Sequence, residues 1–315
     1  MKNKLVTAAE NVINNCLKVK PKERVLVVTD PPCLDIGRLL WEAAGRVGDP
    51  VLVEIVSRKM HGEEPPPAVA RMLRDCDVFI MPCSMSLTHT QARKEASRLG
   101  KRGATLPGIT KDTMARTLNA DYHKIEKLTK RLARRLTQAK TACITTKKGT
   151  NLCLDLAGRP GHPDTGIVHE PGDFSNLPAG EAYIAPVEGT ARGQVVIDGS
   201  MAPIGALEKD LIFIVEAGKI TAVANDCGLF AEIFKEYGSK ARNVAELGIG
   251  TNNFARITGE VLEDEKVLGT VHVAFGNNFA FGGKVRVPVH LDGIIKEPTL
   301  YLDGQRVMKD GRLTI

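Results

Sequence analysis

Three residues toward the C-terminal end of the chain have the types and spacing of metal ligands. They are His272, within Leu-Gly-Thr-Val-His-Val-Ala-Phe-Gly, and the pair His290-Leu-Asp292. On an extended strand, His-x-Asp places both side chains on one face, because side-chain direction repeats every second residue. A histidine from an adjacent strand completes a two-His-one-carboxylate face, which holds a divalent metal and leaves coordination positions open for substrate. Two carboxylates extend the set. Glu181 follows Asn-Leu-Pro-Ala-Gly, and Glu246 stands in Asn-Val-Ala-Glu-Leu-Gly-Ile-Gly; apolar residues and glycines flank both. A buried carboxylate needs a partner, and a metal is an efficient one. Each of these residues alone reads as structural. Together, Glu181, Glu246, His272, His290 and Asp292 offer enough donors for one well-held ion or two adjacent ones, with the two glutamates as candidate catalytic groups.

Two kinds of scaffold must position these residues. The first half alternates short apolar strands (24–30, 51–56, 78–82, 104–108) with helical segments (33–47, 67–76, 90–99). That alternation predicts an α/β N-terminal domain, a parallel sheet with helices on both faces. The first strand runs into Thr-Asp-Pro-Pro rather than a glycine-rich phosphate loop, so the domain is Rossmann-like without a nucleotide-binding signature. A long basic helix over 124–140 marks the join, giving domains 1–140 and 141–315. Beyond it, hairpins over 142–156, 211–224 and 298–312, a strand at 194–198 and one helix near 228–237 predict an α+β C-terminal metal domain with a mainly antiparallel sheet.

The N-terminal domain offers Ser-Leu-Thr-His89-Thr-Gln-Ala-Arg93, just past the third strand. His89 is a candidate acid/base group and Arg93 a candidate substrate-carboxylate anchor, one helical turn away. The alternative is a helix cap at Thr88 beside an exposed His89. His162-Pro-Asp164 and His169-Glu170 also pair potential ligands, but both fall in the Gly/Pro-rich stretch 158–172, which reads as loop. No nucleophile-and-base arrangement for covalent catalysis is visible.

The 315 residues are 43% hydrophobic and 25% charged, an ordinary globular composition with room for two domains. Seven Lys or Arg against one Glu in 124–140 match the whole formal charge of +6. Ile125, Leu128, Leu132 and Leu136 recur at helical spacing there, so the basic residues form the outer face of a helix. Without aromatic interleaving they do not point to nucleic acid. No apolar run is long enough for a membrane span. Seven cysteines with no CxxC spacing read as reduced, mostly buried thiols of a cytoplasmic protein.

The strings NLPAGEAYIAP, ELGIGTN, EDEKVLGTVHVAFGNN and VHLD, in that order, resemble the leucyl aminopeptidase family of aminopeptidase T; SLTHTQAR and TLPGIT extend the likeness into the first half. The resemblance implies the two-domain architecture, a homodimer, and Glu181, Glu246, His272, His290 and Asp292 as ligands of two divalent ions. It places at Phe279 a position where that family uses a tyrosine. A related branch, the 2,5-dihydroxypyridine dioxygenases, is similar in fold and uses a two-His-one-Asp Fe(II) site, which His272, His290 and Asp292 match; His89 then becomes a proton-transfer residue. Three functions follow. The first expectation is a metal-dependent hydrolase that cleaves an amide or short-peptide bond with water activated by two Zn, Mn or Co ions. The alternative is a mononuclear Fe(II) ring-cleaving dioxygenase acting on a hydroxylated N-heteroaromatic. The third is a binding protein with a vestigial site.

Overall fold

The structure is a computed structural model that describes residues 2–314. It divides into two compact units.

The first unit comprises the chain through Glu126 together with Thr165–Ala179. Its core is a five-stranded parallel sheet in the order Asp49–Glu54, Arg24–Thr29, Val78–Met81, Arg102–Thr105, Phe174–Asn176. Strand alternation divides the apolar side chains between two clusters: Val25, Val27, Val78 and Ile80 on one face, Leu26, Val28, Phe79 and Met81 on the other. Residues of Lys2–Asn11 and Leu34–Ala44 belong to the first cluster, and residues of Pro67–Asp75 and Gln91–Arg98 to the second. This is the α/β sheet with two covered faces that the alternation predicts. Each fully buried aliphatic or aromatic side chain in such clusters contributes about 1.5–3 kcal/mol. The fifth strand was not expected. It is three residues long and carries no periodic signal.

The second unit comprises Lys127–Asp164 and the chain from Gly180 onward. It contains two sheets. The larger orders its strands Lys219–Ala224, Leu211–Glu216, Arg192–Ile197, Asn151–Asp155, Thr141–Thr145, Thr299–Leu302, Gln305–Lys309 and Arg312–Leu313. The smaller runs Gly205–Ala206, Ser200–Met201, His290–Ile295, Val271–Gly276, Val244–Gly250, Glu181–Ile184, Gly161–Asp164. Pairing is antiparallel throughout both. One apolar cluster joins them, with Val271, Val273, Phe275, Leu247 and Ile249 from the smaller sheet and Ile144, Leu152, Val195, Phe213 and Val215 from the larger.

Three expectations are corrected here. The join does not fall near 140: Leu132, Ala133 and Leu136 of the Tyr122–Gln138 helix pack in the second unit's core, whereas Tyr122 and Ile125 pack in the first's. The cysteines are not all free, because the hairpin register sets Cys143 opposite Cys153 with Cα atoms 4.2 Å apart, and the two form a disulfide; Cys16, Cys33, Cys76 and Cys83 are buried thiols and Cys227 an exposed one. His162-Pro-Asp164 is strand rather than loop, paired with Glu181–Ile184, and Gly161 lets it run close under the Ala133 carbonyl, where a Cβ would stand 2.3 Å away.

Candidate metal centre

The register of the smaller sheet builds the site. Val271, Val273 and Phe275 point into the core, so His272 points to the opposite face. On that face Gly248 lies opposite both His272 and Tyr183, Ala274 lies opposite Glu246 and Asp292, and His290 lies opposite Gly276. Glu181 pairs with Asp164 and Gly250 at the far side. A register shift between Val244 and Glu246 lets Val244 and Leu247 both reach the core while Glu246 faces the site. Gly248 makes room for the imidazole of His272, since a Cβ there would fall 1.9 Å from Nε2.

All five expected ligands meet on this face. His272 Nε2 is 3.2 Å from Glu181 Oε2 and 3.3 Å from Glu246 Oε1; His290 Nε2 is 3.4 Å from Glu246 Oε2 and 3.3 Å from Asp292 Oδ1. His290 donates from Nδ1 to the Asn277 carbonyl at 2.7 Å, which fixes the tautomer and turns Nε2 toward the carboxylates. Donor atoms of Glu246, His272 and Asp292, and separately of Glu181, Glu265 and His272, lie within 4.8 Å of one another. Two polar atoms in this buried cluster, Glu181 Oε2 and His272 Nδ1, have no hydrogen-bond partner. An orphaned carboxylate oxygen aimed at a histidine, amid further acids, is what a divalent cation would satisfy, so the residues fit a metal.

The electrostatics agree. Burial pushes the Glu246 carboxyl up, yet the hydrogen bonds with His272 and His290 hold it below the usual range. Burial works against the Asp292 carboxylate too, and His290 overcomes it, holding the group at about 2. His272, opposed by burial, is raised by Glu246 and Glu181 to about 9, and His290 is driven up by Asp292 and Glu246.

The sequence reading missed several participants. Lys266, only 1% exposed, sets Nζ 2.6 Å from Glu181 Oε1, 2.7 Å from Glu265 Oε1 and 3.5 Å from Asp164 Oδ2. Burial lowers the lysine's proton affinity, but Glu181 and Glu265 more than restore it; the Glu265 carboxyl, pushed up by burial, stands at about 8. Beside His290 lies an aromatic group: His162 stacks on Tyr183 at 5.3 Å, and the Phe281 ring meets Tyr183 edge-on at 5.5 Å and His290 at 5.8 Å. The loop carrying Phe281 is pinned. Arg159 pairs with Glu188 and donates to the Gly282 carbonyl, while Glu188 Oε1 accepts from Asn278 Nδ2 at 2.9 Å and from the Lys284 amide at 2.7 Å. Phe279, the position implied for a family tyrosine, is half exposed with the Arg286 guanidinium 3.9 Å above its ring. The tyrosine beside the cluster is instead Tyr183.

The remaining expected residues lie in the first unit. His89 is exposed in the turn before the Gln91–Arg98 helix, which Thr90 caps by accepting the Arg93 amide. Arg93, the expected carboxylate anchor, is engaged by its neighbours within the first unit. Its guanidinium lies 4.1 Å over the Phe174 ring and donates from Nε to the Thr88 carbonyl at 2.7 Å, and burial lowers its pKa to about 10. His169 donates from Nε2 to the Asn15 carbonyl at 2.8 Å, a contact within the first unit.

A buried two-histidine, multi-carboxylate face on an antiparallel sheet, in a chain with this two-unit architecture, defines a metalloenzyme. The family model for 2,5-dihydroxypyridine 5,6-dioxygenase (NicX) matches residues 4–315, and the chain belongs to that family. It is 25% identical over 261 residues to the 2,5-dihydroxypyridine 5,6-dioxygenase of Pseudomonas putida, covering 78% of this chain and 73% of that protein. The solved structure of the 2,5-dihydroxypyridine dioxygenase from Pseudomonas putida KT2440 aligns with a TM-score of 0.81 at 21% identity, over 100% of this chain and 98% of that one. AmpT from Thermus thermophilus aligns over 100% of both chains with a TM-score of 0.75 at 19% identity, a likeness of fold.

Proposed function

We propose that this chain is a mononuclear non-heme Fe(II) dioxygenase that opens the ring of a hydroxylated N-heteroaromatic compound. The observation that carries the reading is the convergence of His272, His290 and Asp292, with Glu246, on one sheet face of a chain that matches the dioxygenase family from residue 4 to 315. His272, His290 and Asp292 would hold the ion, and bound Fe(II) would supply the oxygen activation that no side chain can. Glu246 lies within reach of both histidines and would either join them as a ligand or hold their rings in place. Asn277 keeps His290 in the tautomer that presents Nε2. Phe281, Tyr183 and His162 offer a flat ring an aromatic wall beside His290, and the Tyr183 hydroxyl can hydrogen-bond a ring substituent. His89 receives the proton-transfer role from the family resemblance. The hydrolase expected first from the sequence keeps only the likeness of fold to AmpT in its support.

The test is oxygen uptake by anaerobically purified, iron-loaded protein offered a panel of hydroxylated pyridines. Stoichiometric oxygen consumption with loss of the aromatic absorbance supports the reading. Release of product from an amide or short peptide without oxygen sinks it. In the same assay His89→Ala should lower kcat by about 10²–10⁴-fold, the usual worth of a general acid–base group, with iron content unchanged; full activity removes His89 from the mechanism.

A further inference from the structure

His89 is exposed, yet both its neighbours are buried, Thr88 at 4% exposure and Thr90 at 1%. Thr90 caps the following helix, so the Thr88 hydroxyl has another use. It meets the ends of two strands. Ala104 packs in the first apolar cluster, so Thr105, the last residue of its strand, faces the second. Thr105 lies opposite Asn176, the last residue of the late-returning strand Phe174–Asn176. The hydroxyls of Thr88 and Thr105 donate to Asn176 Oδ1 at 2.9 and 2.6 Å, with their own oxygens 2.8 Å apart. Phe174 stands two residues before Asn176, on the same face, and takes the Arg93 guanidinium over its ring. Arg93 Nε in turn donates to the Thr88 carbonyl at 2.7 Å. The returning strand therefore holds Thr88 twice, by its hydroxyl through Asn176 and by its carbonyl through Arg93.

We propose that Phe174–Asn176 is a latch that fixes the turn carrying His89, with Thr88, Asn176 and Arg93 as positioning residues for that histidine. The inference rests on the proton-transfer role proposed for His89 and names what keeps the group in place. A group that moves a proton must keep its geometry, and misplacement by about 1 Å costs around 100-fold in rate. The helix itself does not need the latch. Thr90 accepts the Arg93 amide, and Glu64 accepts the Gln91 and Ala92 amides, so the helix start is satisfied without Thr88. On the other side, the Ser86 amide donates to His61 Nδ1 at 3.0 Å and Ser86 Oγ accepts the Thr88 amide at 3.2 Å. Backbone fixed on both sides of an exposed histidine restricts where its ring can stand.

The experiment compares oxygen uptake by iron-loaded, full-length variants, with a double-mutant cycle against His89. Thr88→Val removes the hydroxyl and keeps the volume; it should lower kcat by about 10–100-fold at unchanged KM and iron content. Asn176→Ala should do the same, and Thr88→Ser, which keeps the hydroxyl, should retain most of the rate. In a His89→Ala background neither Thr88→Val nor Asn176→Ala should lower kcat further, because their effect passes through His89. A folded Thr88→Val protein with full kcat overturns the proposal, as does an equal loss with and without His89. Should Thr88→Val not fold, Asn176→Ala carries the same comparison. A second readout needs no turnover: nitrogen-15 relaxation at the His89 amide of the Zn(II)-loaded protein. The order parameter should be about 0.85 in the unsubstituted chain and in Thr88→Ser, and fall toward about 0.6 in Asn176→Ala. A mobile His89 amide in the unsubstituted chain, or one equally rigid in Asn176→Ala, overturns the latch. If the unsubstituted iron-loaded protein takes up no oxygen, the dioxygenase reading falls and the relaxation measurement alone decides this proposal.

Discussion

Replacing Gly248 by alanine tests the geometry of the metal centre most directly. Gly248 is not in a left-handed conformation, so alanine fits its backbone and the substitution isolates one steric effect. The new Cβ would lie 1.9 Å from His272 Nε2, 2.1 Å from Cε1 and 2.7 Å from Cδ2, where ordinary contact begins at 3.4 Å. The ring must therefore retreat by about 1.5 Å, while metal–ligand distances tolerate only about 0.2 Å. His272 is fully buried, so it cannot swing out into solvent. Overpacking of this kind costs about 1–3 kcal/mol of folding stability. The larger effect is the loss of one ligand, expected to weaken iron binding at least roughly 100-fold, or ~2.7 kcal/mol. The assay compares thermal melts with and without Fe(II) under anaerobic conditions. A ligand at 100 times its dissociation constant stabilises the fold by about 2.7 kcal/mol, and that increment should vanish in the variant. A Gly248→Ala protein that keeps its full iron content and its metal-dependent rise in Tm would refute the reasoning, because His272 would then have yielded without leaving the ion.

Two further outcomes follow from the same geometry. In the metal-free chain His272 holds its proton to about 9, above its ordinary 6.5, so its contribution to stability is complete below 6.5 and is lost as pH rises toward 9. A metal competes for that site and releases the proton, so apparent affinity should rise by up to roughly tenfold per pH unit between these values; dissociation constants that do not change over this range count against His272 as a ligand. Phe281→Ala removes the ring that meets Tyr183 and His290 edge-on, and should raise KM for a heteroaromatic substrate about 5–10-fold, the worth of one aromatic pair, at unchanged iron content. Loss of iron in that variant, with KM preserved, would show that the ring serves only to orient His290.

The parallel sheet of the first unit was legible because buried strands and amphipathic helices alternate over short distances, and each carries its own period. The ligand residues were legible for a related reason: His-x-Asp on a strand cannot split between faces, and Glu181 and Glu246 sit among residues that make no solvated surface. Lys266 and Glu265 escaped notice because four consecutive charged residues, Glu-Asp-Glu-Lys, give no local sign that Glu263, Asp264 and Lys266 are buried and Glu265 nearly so. Their only sequence mark is their place in the same string as His272. Asp164 and His162 were hidden by their Gly/Pro-rich surroundings, where strand pairing with Glu181–Ile184 supplies the order that propensity does not. The stacking of Arg93 on Phe174 was not legible because helical spacing cannot foresee an aromatic ring arriving from a strand far along the chain. The Cys143–Cys153 pair depends on hairpin register, which a spacing rule for cysteines does not consider.

The return of Thr165–Ala179 to the first unit has a consequence for how the polypeptide is made. Phe174–Asn176 pairs with Arg102–Thr105 as the last strand of the parallel sheet, so until it emerges from the ribosome that sheet ends on an unpaired edge at Arg102–Thr105. At about 5–20 residues per second, the roughly seventy intervening residues take some 3–14 seconds to synthesise. During that interval the nascent chain displays an open hydrogen-bonding edge, and the first-made part of the protein is the one that has to wait for a later part before it is finished. A fragment cut at residue 126 would keep that edge permanently, which makes it a poor choice for expressing the N-terminal unit alone.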